Sequence, residues 1–228
     1  MDIEKTEKKT FSEKLSALLV NFRVIILSIV IVLFLAAVGL GVFSAVKSSV
    51  DKKNFALLDE LMYSLEESKT NLSEDMLAAK YDSIKQKISE FTVKTNKGAP
   101  AARAFMITAG IDFETKNYAS SRDAWLSAVD ANKKAYTASV CWYNAAVCSE
   151  ELGETDKALE YYVLAAESAQ FSLKPHALFN IARIQSDTGN FEEAKKSFQK
   201  IIDSFPNDSW ADLAKSNLLL MTAEGKIQ

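Results

Sequence analysis

The sequence predicts an all-α protein: one membrane-crossing helix, then a stack of helical hairpins closed by a capping helix. Three observations predict it. Only 7 Gly and 3 Pro punctuate 228 residues, too few for a chain rich in turns or strands. Val24 to Val46 is a run of 23 residues without a charge. Between Ser139 and Asp208 one order of small and large residues occurs twice.

Residues 1–23 form a charged amino-terminal segment. Thr10 and Glu13 fit a capping box, and Phe11, Leu15, Leu18 and Phe22 follow at helical spacing. An amphipathic helix on a membrane surface fits this pattern; a disordered tail is the alternative.

Residues 24–46 come next, with Ser28 and Ser44 as the only clearly polar side chains. As a helix the run spans ~34 Å, enough for a hydrocarbon layer of about 30 Å. A cleaved signal has a shorter apolar core, so an uncleaved signal anchor in the lipid bilayer is expected, although Ala37-Val38-Gly39 imitates a cleavage site. Lys5, Lys8, Lys9, Lys14 and Arg23 precede the span, and Lys47, Lys52 and Lys53 follow it. That excess places the amino terminus in the cytoplasm and the rest outside the inner membrane.

Residues 47–97 read as a helical hairpin. Phe55, Leu58, Met62 and Leu65 form one stripe, and Leu77, Tyr81, Ile84, Ile88 and Phe91 form the other. Asn71 or Ser73 separates them, with Glu74 and Asp75 favouring a new helix start. A coiled-coil dimer through residues 55–65 is the alternative use of the first stripe. Gly98-Ala99-Pro100 then marks a turn and a helix start near Ala101.

Three frames of about 34 residues follow, spanning 102–136, 139–172 and 175–208. The second has Trp142 at place 4, Gly153 at 15, Ala158 at 20, Tyr162 at 24 and Ala165 at 27. The third has Leu178 at place 4, Ala182 at 8, Gly189 at 15, Phe191 at 17, Ala194 at 20, Phe198 at 24 and Pro206 at 32. The first has Phe105, Ala109, Tyr118, Trp125 and Ala128 in register, but Lys116 where glycine is usual and Ser121 where alanine is usual. Large residues act as knobs, small ones let the paired helix approach, and the glycines turn the chain. This order resembles the tetratricopeptide repeat, and the resemblance implies a solenoid of stacked hairpins. Residues 209–223 read as the capping helix, with Asn207 or Asp208 as N-cap. Trp210, Leu213, Leu218 and Leu219 are expected to cover the last repeat.

Composition excludes several functions. The net charge is −3, and −5 after Ser49, so no nucleic-acid partner is expected. His176 is the only histidine, and Cys141 and Cys148 lie two helical turns apart. Neither a disulfide between them nor a metal site is expected; both read as small apolar fillers. No phosphate loop or nucleophile motif occurs, and Glu66-Glu67, Glu150-Glu151 and Glu192-Glu193 read as solvated faces. No catalytic residue and no cofactor is expected.

What remains is recognition of protein or peptide partners. In the resembled family the first helix of each unit lines the inner face at places 2, 5, 9 and 12. The candidate groove residues are therefore Arg103, Met106, Phe113, Tyr143, Val147, His176, Phe179 and Arg183, with Gly110, Val140, Glu150 and Ser186 at the remaining places. Met106, Tyr143 and Phe179 at place 5 leave the basic clamp for acidic tails incomplete, so an apolar peptide fits better. The order of parts from Phe11 to Met221 also resembles the bacterial ancillary translocon subunit, which implies a chaperone-like envelope protein near the secretion channel. The alternatives are a self-associating structural protein and an envelope-maintenance or outer-membrane assembly factor.

Overall fold

A computed structural model describes residues 22–228 together with Ser16 and Val20. The expected Thr10 capping box and the stripe through Phe11, Leu15 and Leu18 lie outside the described residues. Among the described residues there are nine helices and no strand. The chain divides into two compact units, Met1–Lys53 and Asn54–Gln228.

Helix α1 (Arg23–Asn71) begins in the first unit. Val24, Leu33, Leu40 and Phe43 are exposed along it, and the helix is long and apolar enough to cross a membrane. Its hydroxyl at Ser28 donates to the Val24 carbonyl at 2.9 Å, which satisfies that polar group within the helix.

In the second unit residues 54–71 of α1 are followed by α2 (Glu74–Lys94). Ser73 takes an extended N-cap conformation, and Glu74 and Asp75 complement the helix dipole behind it. Leu58, Leu61 and Leu65 pack with Ile84, Ile88 and Phe91 and with Ala104, Ile107 and Ile111. This corrects the coiled-coil alternative, because the stripe through Leu58 to Leu65 is buried within its own chain. Helices α3 (Ala99–Glu114) and α4 (Tyr118–Ala131) form a hairpin over the first of the three frames. Pro100 sits in the first turn of α3, where its missing N–H costs nothing. The Gly98 N–H donates to the Ala131 carbonyl, closing the start of α3 onto the end of α4.

The second repeat is α5 (Thr137–Glu151) and α6 (Thr155–Glu167); the third is α7 (Lys174–Asp187) and α8 (Phe191–Ser204). One turn recurs in all three. Asn117, Glu154 and Asn190 each donate back to the carbonyl five residues earlier, at Asp112, Ser149 and Gln185. The residue before each donor lies in the left-handed region: Lys116 at φ 59°, Gly153 at 71° and Gly189 at 83°. This is the Schellman motif, and lysine carries a steric cost there that glycine does not.

Close packing follows from the small residues. Ala145, Ala158, Ala165, Ala177, Ala182 and Ala194 are fully buried, with Tyr162 and Phe198 filling the space between helices. Ser121, in the place of an alanine, is also fully buried. It donates to the Ala109 carbonyl at 2.7 Å and accepts from the Cys148 thiol at 3.3 Å, so its hydroxyl is satisfied.

Helix α9 (Ser209–Ala223) is capped by Asp208, whose carboxylate accepts from the Trp210 N–H at 2.9 Å. Ala211, Ala214 and Met221 are its buried residues, with Trp210 and Leu218 packed against the same core. The expectation that Leu213 and Leu219 cover the last repeat is corrected: they are 45% and 72% exposed. Alanine at 211 and 214 permits close approach on one side, and that contact turns the leucines outward.

Candidate functional site

The first helices of successive pairs run parallel and are cross-linked by polar side chains. Between α1 and α3, Arg103 pairs with Asp59 and lies 5.8 Å from the centre of the Phe55 ring. Further along, Lys69 reaches Glu114 at 2.6 Å and Glu66 at 3.1 Å, and the Tyr81 hydroxyl donates to Glu114 at 2.7 Å. Burial alone would raise the Glu114 pKa; the hydrogen bonds from Lys69 and Tyr81 outweigh it and hold the carboxyl below the usual range. Lys85 of α2 reaches the buried Asp112 at 2.5 Å.

These pairs frame an apolar cleft of about 290 Å³, lined by Met62, Leu65, Met106, Ile107, Gly110 and Trp125 among others. On the other side of Arg103 and Met106 lies a second cleft of about 500 Å³, bounded by Phe55, Ala102, Asn132 and Tyr136. Two of the expected groove residues, Arg103 and Met106, thus line both openings. Phe113 lies near the end of α3, 37% exposed and edge-on to Tyr118 at 5.4 Å.

The second and third repeats are arranged differently. Tyr143 is only 8% exposed, and its ring meets Tyr162 edge-on at 5.3 Å. Its hydroxyl lies 2.9 and 3.1 Å from the two ring nitrogens of His176, and Asn180 donates to the same oxygen at 3.3 Å. Burial, and then the charge of Arg183, lowers the His176 pKa. The shift favours the neutral imidazole, which shares a hydrogen bond with the Tyr143 hydroxyl. The imidazole stacks on Trp210 at 3.9 Å with the planes 13° apart. Phe179 contacts the same indole at 5.0 Å and Phe198 at 5.5 Å. Val147 packs against the core, and Arg183 pairs with Glu150, which also accepts from the Tyr162 hydroxyl at 3.0 Å. Glu150 is therefore a half-buried partner of α7, a correction to its reading as part of a solvated face. Over Tyr143, His176 and Phe179 the inner face is occupied by its own side chains and by the Trp210 indole, while beyond them a polar cleft of about 520 Å³ remains, lined by Glu150, Thr155, Arg183 and Asp187 among others.

Among the described residues no group of three or more His, Cys, Asp or Glu is placed to hold a metal. Both cysteines are buried thiols; burial pushes Cys141 up to about 12, and the Cys148 pKa is raised by burial as well. His176 is held by Tyr143 and Trp210. Recognition is what the clefts can perform. Met62, Leu65, Lys69, Trp125 and Tyr136, which were not singled out for binding from the sequence, complete the amino-terminal openings. The available signal was Gly110, a glycine in mid-helix at an inner-face place.

Family models described as tetratricopeptide repeat match residues 140–171 and 176–208. The chain is 31% identical over 128 residues to a "TPR repeat-containing protein" of Treponema pallidum (strain Nichols), an alignment covering 56% of this chain and 54% of the relative. The chain thus spans about half the length of that curated relative. Among solved structures, a crystal structure of the MamA protein aligns at 20% identity and a TM-score of 0.44, covering 69% of this chain and 85% of that one. The apo form of RapI aligns at 14% identity and a TM-score of 0.43, covering 80% and 82% of the two chains.

Proposed function

We infer that the tetratricopeptide repeats matched at residues 140–171 and 176–208 make this chain a protein–protein interaction scaffold. We propose that the chain is a membrane-anchored, non-enzymatic adaptor that binds proteins or peptides in the bacterial envelope. Residues 24–46 hold it in the inner membrane, with the amino terminus cytoplasmic and the repeats outside. The order of its parts favours a chaperone-like role near the secretion translocon. One observation carries the binding reading: the parallel first helices leave two apolar clefts framed by charged side chains.

Photo-crosslinking in cells tests it. A benzoylphenylalanine introduced at Met106, at Phe113 or at Tyr136 is expected to give discrete adducts with other proteins. No adduct from any of the three positions overturns the reading. Protease access in spheroplasts tests the compartment: digestion of residues 54–228 only after the outer membrane is opened supports the orientation, and protection after that step contradicts it.

A second reading, self-association, is favoured by Leu213, Leu219 and Leu220, which α9 leaves exposed. Sedimentation of the full chain in detergent decides it; a monomer at high concentration removes it.

A further inference from the structure

The clefts beside Arg103 and Met106 carry a more specific conclusion, which rests on the binding reading above. Gly110 lies at the floor of the first cleft, and a Cβ built there meets nothing within 4 Å. The space above α3 is therefore open, where any larger side chain would occupy it. Its walls are Met62, Leu65, Met106 and Ile107, flexible and apolar, suited to a bulky aliphatic side chain.

Trp125 lines the same cleft. Its indole N–H is buried and has no hydrogen-bond partner. Buried donors are almost always paired, and an orphan costs free energy. That nitrogen is closed to solvent, so an occupant of the cleft meets the indole ring and not its N–H.

The mouth has a sign. Glu66 and Asp59 have side chains 60% exposed and Glu114 45%, whereas their partners Lys69 and Arg103 are 27% and 40% exposed. The carboxylates thus stand outward of the cations that neutralise them. The surrounding unit is acidic too, with 19 Lys/Arg against 25 Asp/Glu over residues 54–228. Such a mouth attracts positive charge and repels acidic segments.

We propose that this seam binds an extended basic peptide, seating an aliphatic side chain over Gly110 and against the Trp125 ring while flanking lysine or arginine meets Glu66, Glu114 and Asp59. The second cleft, sharing Arg103 and Met106, receives the next side chain on the same face of the strand.

The test uses the full chain in phosphatidylcholine nanodiscs and fluorescence anisotropy. The probe is a labelled seven-residue peptide of alternating lysine and leucine, with counterparts carrying glutamate for lysine or serine for leucine. The lysine–leucine probe is expected to bind, and each counterpart roughly tenfold or more weakly. Gly110→Leu, which fills the cleft, is expected to weaken the probe at least ~tenfold while leaving the helical spectrum intact. Equal binding of the acidic and basic probes, or full binding by Gly110→Leu, overturns the proposal. Loss of binding in a Phe179→Ala, Arg183→Ala double variant but not in Gly110→Leu overturns the seam while leaving the peptide-binding reading standing. Failure of every probe to bind overturns this ligand chemistry, and the crosslinking in cells then judges the broader reading independently.

Discussion

The first seam and the two later repeats are built on the same period but treat their inner faces in opposite ways. Between α1 and α3, leucine and isoleucine fill the core and the inner face opens at Gly110. Between α5, α7 and α9, alanines bring the helices together and aromatic side chains close the face: Tyr143 on His176, His176 under Trp210, Phe179 beside both Trp210 and Phe198. A repeat position therefore does not decide whether a side chain is available to a partner. The neighbouring helix decides, by supplying or withholding the ring that covers it.

Breaking the carboxy-terminal arrangement has the largest expected effect. Phe198 is 1% exposed in the aromatic core, so Phe198→Ala should cost about 3–5 kcal/mol, whereas Ile107→Val at the first seam should cost about 0.5–1.5 kcal/mol. Urea unfolding of the two variants checks the contrast. Equal losses would mean that the two regions do not differ in how they are filled.

Next is the indole that closes the face. Trp210→Ala removes the stack on His176 and the contact with Phe179, for an expected loss of about 2 kcal/mol. Hydrogen exchange should quicken in α9 and leave α2 unchanged.

Two substitutions should stabilise. Lys116 holds the left-handed position that glycine holds in the other repeats, so Lys116→Gly is expected to gain about 1 kcal/mol. Gly110→Ala should gain about 0.5–1 kcal/mol from helix propensity, because nothing stands near the added methyl. Both are read from the midpoint of thermal unfolding. A loss at Gly110 would show that the open space there is needed by the fold.

The smallest effect is a pH dependence at the closed face. Burial and Arg183 lower the pKa of His176, so the unfolded chain takes up the proton more readily than the folded one. Its contribution is full above the unfolded value of about 6.5 and is lost as pH falls toward the folded value. Relative to His176→Gln, the wild type should lose stability between pH 7 and 5, and a flat difference would contradict the neutral imidazole.

Much of this architecture was legible in the residues. Gly153 and Gly189 mark turns because few other residues tolerate that backbone, and Asp208 is a helix cap by its chemistry alone. Lys116 was harder: its turn is identical, but a lysine carries no such signature. The facing of α9 was misjudged because leucine content suggests burial, while Ala211 and Ala214 set which side approaches the core. At the site, helical spacing placed Arg103, Met106, Tyr143, His176 and Phe179 on first helices. It could not show that Trp210, from beyond the last frame, lies across His176 and Phe179, nor that Glu150 is tied to Arg183. That Trp125 of α4 forms a wall of the first cleft is something only the packing of α4 against α1 and α3 reveals.

The most direct test asks where a bound peptide touches the chain. A lysine–leucine peptide carrying one benzophenone side chain, irradiated with the full-length protein and mapped by mass spectrometry, is predicted to attach at Met62 or Met106. Attachment at residues of α5, α7 or α9 instead would show that the aromatic face opens after all, and would contradict the division between an open seam and a closed one.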